Sequence, residues 1–151
     1  MNLTVTMSGL DQLSLKVSYL KNAARTGLKL GVAEAAGLFE AEAKALVPVD
    51  TGNLQEHIHT ETVEDTVERQ VLAVTPVVEA ANPYGFDPPY ARRIEKGFMG
   101  TDSLGRHYDQ AAQPYMAPAF ENKRDEADKA IREGVLSSLD EAMNATAGKR
   151  L

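Results

Sequence analysis

Two histidines, His57 and His59, alternate with other residues in the segment that follows a long helical pattern. If this segment is a strand, both imidazoles project from the same face, which is a geometry that metal sites use. A third ligand would come from His107 or from a carboxylate, and such a set would suit a metal-dependent hydrolase. The two histidines share their predicted strand face with Gln55 and Glu61, so a solvated polar face is the simpler interpretation.

Other residue types that support catalysis are poorly placed. The chain has no cysteine, no serine in a G-x-S-x-G turn, and no glycine-rich loop that directly precedes a helix. Arg92, Arg93 and Lys96 are suited to phosphate, but solvation or pairing with an acid such as Glu95 is the expected state of these cations. The sequence therefore predicts no enzyme, with no catalytic residue, no cofactor and no metal.

Acidic residues cluster where a hairpin turn is predicted. They are Glu61, Glu64, Asp65 and Glu68. Exposure in a turn gives no physical reason for a shifted pKa, so paired-carboxylate catalysis is not indicated. A solvated hairpin is the plain interpretation of this cluster.

The composition limits the class of protein. With 151 residues, 43% of them hydrophobic, the chain has the size of one globular domain covering residues 1–151. A net charge of −6, 6% aromatic residues and no tryptophan argue against a sequence-reading nucleic-acid binder. No apolar run approaches the roughly 20 residues that span a bilayer, and residues 1–8 lack the pattern of a secretory signal. We expect no membrane partner and a chain that stays in the compartment of its synthesis.

Apolar spacing predicts long helices at both ends of the domain. The predicted helices cover residues 10–21, 24–46, 90–96 and 118–143, with a kink or joint at residues 22–27. Gly31 and Gly37 lie on or beside the apolar stripe of the second helix, which indicates close packing on a sheet or on a neighbouring subunit. In the last helix we expect Phe120 and Met143 to be buried.

Shorter elements connect these helices. Alternating apolar residues predict strands at residues 3–7, 54–62 and 67–75. Pro48 is expected to end the preceding helix, while Asp50, Thr51 and Gly52 supply turn chemistry that reverses the chain. Residues 98–114 show no sustained period and are predicted to be a long extended loop, and residues 144–151 a flexible tail. The predicted fold class is α+β, with the long terminal helices on one face of a small antiparallel sheet.

Four phrases carry a resemblance to a known family. They are PVDTGNL after the long helix, YARRIEKG after the sheet, GRHYDQAAQP, and PYMAPAFENKRDEADKAI at the start of the last helix. Their order resembles that of the head–tail joining or tail-completion proteins of long-tailed bacteriophages, related to lambda-type minor tail protein Z. The likeness covers roughly residues 28–139, and the NPYGFDPP loop is longer than the family pattern.

The resemblance implies a structural virion protein of the phage neck or head-proximal tail end. Such a subunit is expected to assemble in the host cytoplasm as a ring, with sixfold symmetry, around the DNA channel. Its expected partners are copies of itself, the tail terminator, the head-closure protein, the tail tube or the tape measure, while DNA passes without specific binding. On this interpretation the acidic cluster is a candidate for the channel lining, because like charges do not adhere.

The resemblance also assigns roles to individual residues. The candidates for subunit contact are Phe98, Met99, Leu104, Arg106, His107, Tyr108, Tyr115 and Met116. The residues that carry the fold motifs are Pro48, Asp50, Thr51, Gly52, Leu54, Tyr90, Ala91, Glu95, Gly97, Pro114, Pro118 and Phe120. Two alternatives stay open at this point, the hydrolase using His57 and His59 and a monomeric bacterial adaptor or toxin-like binding module.

Overall fold

A computed structural model describes residues 9–50, 52–66, 69–76, 89–101 and 104–147, with the backbone alone at residues 89, 90 and 147. In chain order the elements are α1 (Leu10–Leu46), α2 (Asn53–Glu56), β1 (Ile58–Asp65), β2 (Gln70–Pro76), α3 (Pro89–Lys96), β3 (Phe98–Thr101), β4 (His107–Gln110) and α4 (Met116–Ala147). The strand predicted at residues 3–7, Thr51, Glu68 and most of the NPYGFDPP loop lie outside the described residues.

The predicted α+β class is confirmed. The long helices α1 and α4 pack along each other, and the antiparallel pair β1–β2 lies against α1. The strands form two separate hairpins, β1–β2 and β3–β4, where one small sheet was predicted. Within the described part of the chain, no helix is long and apolar enough to cross a membrane.

Helix α1 runs without interruption through the predicted kink at residues 22–27. No proline occurs in this stretch. The Thr26 hydroxyl donates a hydrogen bond to the carbonyl oxygen of Asn22, one turn earlier in the same helix, at 3.1 Å. The predicted stop at Pro48 is confirmed. The preceding residue, Val47, has the extended backbone (φ −62°, ψ 132°) that a following proline requires.

Small residues allow α1 and α4 to approach closely. A Cβ atom at Gly31 would lie 2.6 Å from Ile131 Cα, and one at Gly134 would lie 2.7 Å from the carbonyl oxygen of Gly27. The predicted close approach at Gly31 is therefore confirmed, and its partner is a helix of the same chain. At Gly37 a Cβ would meet nothing within 4 Å in the described part of the chain, so packing on the sheet is excluded there and packing on a neighbouring subunit stays a prediction.

The core contains fewer large side chains than the sequence pattern predicted. Its main cluster consists of Ala43, Val47, Leu54, Ile58, Ala91, Ile94, Tyr115 and Ala119. Phe120 and Met143, which were expected to be buried, are each 49% exposed. The described residues that α1 and α4 bury are all glycine or alanine, and the contact between these two helices is called the α1–α4 seam below.

The first hairpin starts later and turns later than predicted. Residues Asn53–Glu56 form one helical turn, α2, so that Leu54 is buried from a helix and β1 begins at Ile58. The turn lies at Thr66 and Arg69, joined by a 2.8 Å backbone hydrogen bond, rather than at Glu64 and Asp65. A bulge between Thr62 and Glu64 shifts the register within β1.

Residues 98–114, predicted to be an irregular loop, contain the second hairpin. Strands β3 and β4 pair in register from Phe98 with Gln110 to Thr101 with His107. The pattern was missed because neither face of this hairpin is buried, so no period-two alternation of apolar residues was selected. At the other end of the chain, α4 continues to Ala147 through the first half of the predicted flexible tail.

Candidate subunit-interaction site

A carboxylate joins α3 to the start of α4. Glu95 accepts hydrogen bonds from the backbone nitrogens of Tyr115, at 2.7 Å, Met116, at 3.0 Å, and Ala117, at 3.2 Å. Pro118 has no N–H, and the nitrogen of Ala119 donates to the carbonyl of Tyr115 at 3.1 Å. Every backbone donor in the first turn of α4 is thereby either bonded or absent, which is the condition for a stable helix start.

The ionised form of Glu95 is favoured at this position. Partial burial opposes ionisation, but the three backbone hydrogen bonds and the nearby Lys96 outweigh it and lower the pKa of Glu95 below 4.5. The positive end of the α4 dipole acts in the same direction. Glu95 is therefore a charged helix cap supplied from another helix.

Three of the four motif phrases contribute residues to one core beside this cap. Leu54, Ala91, Ile94 and Tyr115 belong to the same buried cluster. Tyr115, named as a subunit-contact candidate, is only 1% exposed, so the structure corrects that assignment to a core role. Burial, with a smaller contribution from Glu95, raises the pKa of Tyr115 to about 12. PVDTGNL, YARRIEKG and the PYMAP phrase thus supply one architectural joint.

The turn before β1 contains the glycine that was predicted to reverse the chain. Gly52 has φ +82°, the left-handed conformation that glycine adopts without strain, and it precedes α2. Asp50 is exposed beside this turn, and α2 has no side-chain cap hydrogen bond. Thr51 and the side chain of Tyr90 lie outside the described residues.

A second carboxylate, Glu40, fastens β1 to α1. Its Oε2 atom accepts from the backbone nitrogen of Thr60 at 2.9 Å and from the Thr60 hydroxyl at 2.8 Å. Lys44 donates to the Oε1 atom at 2.6 Å. These bonds, led by that of Lys44, lower the pKa of Glu40 despite partial burial. Glu40 was not among the residues that the sequence singled out.

The β3–β4 hairpin extends from the joint as an arm, defined as residues 98–110. Each described residue from Leu104 to Pro114 is exposed, and the arm has no third strand among the described residues. At its base the nitrogen of Gln113 donates to the carbonyl of Ile94 at 2.8 Å. Gly97, with φ +75°, ends α3 as predicted, and a Cβ there would lie 2.8 Å from the carbonyl oxygen of Gln110.

Most of the predicted contact residues lie on this arm. Met99 is 80% exposed, Leu104 76% and Tyr108 43%. Arg106 and His107 are also exposed, and His107 lies 3.0 Å from the hydroxyl of Thr101 across the hairpin. An exposed two-stranded hairpin is marginally stable by itself in water, so a protein surface that covers it would stabilise it.

Two of the predicted contact residues, Phe98 and Met116, are less exposed than those on the arm. The guanidinium carbon of Arg93 lies 4.3 Å from the centre of the Phe98 ring, a cation–π contact. Arg93 was considered as a phosphate-binding residue and instead covers this aromatic ring. Met116 is half-buried against the core cluster.

An apolar groove of about 340 Å³ opens beside the joint, between α1, β2 and α4. Phe39, Leu72, Val74 and Phe120 are among its lining residues. The rings of Phe39 and Phe120 stack with their centres 5.3 Å apart. The groove therefore presents half-exposed aromatic surface, which in soluble proteins often marks a site of association.

The predicted acidic cluster is divided between different contacts. Asp65 Oδ2 lies 2.6 Å from Lys29 Nζ, and this bond, together with Arg25, lowers the pKa of Asp65. Glu64 forms an ion pair with Arg69 at 3.5 Å. Glu61 is exposed, and Glu68 lies outside the described residues. Two of these acids therefore serve the α1–hairpin contact and the hairpin turn.

The histidines do not share the strand face assumed for a metal site. His57 follows α2 outside β1, and its Nδ1 atom lies 2.7 Å from the carbonyl oxygen of Asn53. His59 is exposed on β1, and His107 belongs to the arm. Among the described residues, no group of three or more histidines and acids is close enough to hold a metal ion.

No protein-family model, no curated protein and no solved structure matches this chain.

Proposed function

We propose that this chain is a structural subunit of the neck or head-proximal tail end of a long-tailed bacteriophage, where it forms a ring around the DNA channel. The observation that supports it best is the way the motif residues are used. Glu95 of YARRIEKG caps the helix that begins in PYMAP, and both phrases pack on Leu54 of PVDTGNL. These residues hold the base of an arm in place, which suits a protein that acts by assembling.

A ring needs two different surfaces on each subunit, one that reaches forward and one that receives. The arm, with Met99 and Leu104 exposed, is the proposed forward surface. The groove containing Phe39 and Phe120 is the proposed receiving surface. The alanine- and glycine-rich face of α1 was a candidate for this second role, but the α1–α4 seam uses it within the subunit.

The proposed ring is sixfold and contacts the tail terminator, head-closure protein, tail tube or tape measure. DNA would pass through it without specific binding, because a chain of net charge −6 repels a polyanion. Glu61, which is exposed on β1, remains the best candidate for a channel-lining acid among the described residues.

The arm is tested by one pair of matched substitutions in a phage or prophage that depends on this gene. Leu104→Ser alters an arm leucine that is 76% exposed, and Leu136→Ser makes the same change on α4 at 60% exposure. Both variants should keep the melting temperature of the parent protein, because neither side chain is in the core. The arm variant should yield tailless or unjoined particles, whereas the α4 variant should assemble normally. Normal yields of infectious particles from Leu104→Ser, and from an arm shortened to a two-glycine turn, would refute the role of the arm.

A further inference from the structure

The β1–β2 hairpin has a backbone edge that bonds no partner among the described residues. The backbone nitrogen of Thr60 donates to Glu40 at 2.9 Å, so this N–H points away from β2. Thr60 lies opposite Val74. In an antiparallel pair of this kind, both residues direct their N–H and C=O groups away from each other. The backbone groups of Val74 therefore point outward from β2, on the side remote from β1.

The same alternation extends along β2. The neighbouring pairs of this kind are Thr62 with Leu72 and Ile58 with Pro76. Proline has no N–H to donate, so Pro76 suits a position where the ladder needs no donor. Among the described residues, no further hydrogen bond reaches the backbone of Leu72 or Val74. The outer edge of β2 thus presents open donors and acceptors at these two residues.

This open edge borders the apolar groove. The side chains of Leu72 and Val74 line the groove together with Phe120 and Ile131 of α4. The hairpin packs on α1, and the groove opens between β2 and α4. A strand added along β2 would continue the sheet across the groove and cover Phe120, which is 49% exposed. The two long helices would then share one covering layer of sheet.

The arm supplies a strand with the matching edge. Within the described part of the chain, β3 and β4 pair only with each other, and an isolated two-stranded sheet is marginally stable. Met99 on β3 is 80% exposed and apolar. Asp109 is its partner on β4, so addition through β4 would bring a carboxylate to the apolar groove, which is costly. Addition through β3 brings Met99 there instead.

We infer that β3 of a neighbouring copy adds to the outer edge of β2, with Met99 in the groove. Strands β1 and β2 of one subunit and β3 and β4 of the next then form a four-stranded sheet. Backbone hydrogen bonds to Leu72 and Val74 hold the added strand, and the groove receives the side chain that alternates towards it. This inference rests on the proposed function, because it specifies how the arm and the groove of adjacent subunits meet in the ring.

Disulfide cross-linking tests the pairing in particles whose only copy of the chain carries two engineered cysteines, since the chain itself has none. Met99→Cys is combined with Val74→Cys or, for the adjacent register, with Leu72→Cys. One of these pairs should link subunits into a ladder on a non-reducing gel, because a disulfide needs Cα atoms within about 7 Å. The matched control is Met99→Cys with Ala73→Cys, whose side chain leaves the opposite face of β2 and should not cross-link.

Two substitutions at one position separate strand addition from simple filling of the groove. Val74→Pro removes the open N–H but no donor of the β1–β2 ladder, so the free chain should stay folded, as circular dichroism would show. Val74→Ala keeps the N–H and shortens the side chain. Val74→Pro should lower the yield of infectious particles about tenfold or more, because a backbone hydrogen bond is lost at every interface of the ring. Val74→Ala should have the smaller effect.

Amide hydrogen exchange of the unsubstituted free chain tests the open edge without any particle. The amides of Leu72 and Val74 should exchange faster than those of Ala73 and Thr75, which donate within the ladder. Equal exchange at all four amides would show that the edge is not open and would overturn the inference.

The particle experiments can also contradict strand addition. Cross-linking through Ala73→Cys as strong as through Val74→Cys and Leu72→Cys, or through none of the three, would exclude the proposed pairing. Equal yields from Val74→Pro and Val74→Ala would mean that the arm fills the groove without backbone bonds. A ring that is still present at the head-proximal tail end in these cases would leave the neck role standing. A chain that is absent from particles would refute the neck role and this inference together.

Discussion

The backbone nitrogen of Tyr115 donates a 2.7 Å hydrogen bond to Oε2 of Glu95, a residue that lies 20 positions earlier in the chain. This contact fixes the direction in which α4 leaves the arm. A cap within the helix itself would stabilise α4 without relating it to α3. Because the cap comes from α3, folding of α4 and placement of the arm base are coupled.

The first prediction concerns the strength of this cap. Glu95→Ala should lower the free energy of unfolding by about 2 kcal/mol, since it removes a helix cap and leaves partly buried amides unbonded. Urea denaturation measures the loss. Glu121→Ala, at an exposed site on α4, is the matched control and should change the stability by less than about 0.5 kcal/mol. Equal stabilities for the two variants would show that the cap contributes nothing.

The second prediction concerns acid. Glu40 and Glu95 both have a lowered pKa in the folded protein, so their ionised forms stabilise the fold above the ordinary value of 4.5. This contribution should be lost as the pH falls through 4.5 and below it. Between about pH 6 and about pH 3, the Glu40→Gln, Glu95→Gln double variant should lose less stability than the parent protein. Parallel stability curves for the two proteins would contradict the assignment.

The third prediction compares two glycines of α1. Gly31→Ala should destabilise the protein by about 1–3 kcal/mol, because its Cβ would lie 2.6 Å from the backbone of Ile131 and would separate the helices. Gly37→Ala meets nothing within 4 Å and should stabilise the helix by roughly 0.5–1 kcal/mol. Thermal unfolding of both variants measures whether their changes in stability have opposite signs. If Gly31→Ala stabilises the protein as Gly37→Ala does, the α1–α4 seam has been misplaced.

The fourth prediction concerns Phe120. A fully buried phenylalanine would cost about 3–5 kcal/mol on truncation to alanine. Phe120 is 49% exposed and gains its contacts from stacking on Phe39, so Phe120→Ala should cost only about 1–2 kcal/mol. Chemical denaturation gives the value. A loss in the higher range would mean that the groove is closed in solution and that Phe120 belongs to the core.

The sequence predicted those elements whose signals are local. Pro48 ended α1, and Gly52 and Gly97 adopted positive φ, because proline and glycine impose backbone limits independently of tertiary structure. Helical periodicity located α4 within two residues of its observed start at Met116. The contact candidates on the arm are exposed, although the sequence did not predict the hairpin that carries them.

Tertiary contacts decided the features that the sequence did not predict. A short helical turn displaced the predicted strand at Leu54, because the side chain reaches the core from α2. Tyr115 was named as a subunit-contact candidate and is instead, with Ile58, one of the two largest fully buried side chains among the described residues. Glu40 joins α1 to β1 through its hydrogen bonds with Thr60, and nothing in the local sequence of α1 indicates that pairing.

The central claim is that this protein functions as a ring subunit between the head and the tail of a particle. Electron cryo-microscopy of particles whose only copy of this chain carries a small, electron-dense tag tests it most directly. The account predicts tag density as a ring at the head-proximal end of the tail, with the arm of each subunit on the groove of the next. Infectious particles that lack the tag, with the chain recovered only as free protein, would contradict it.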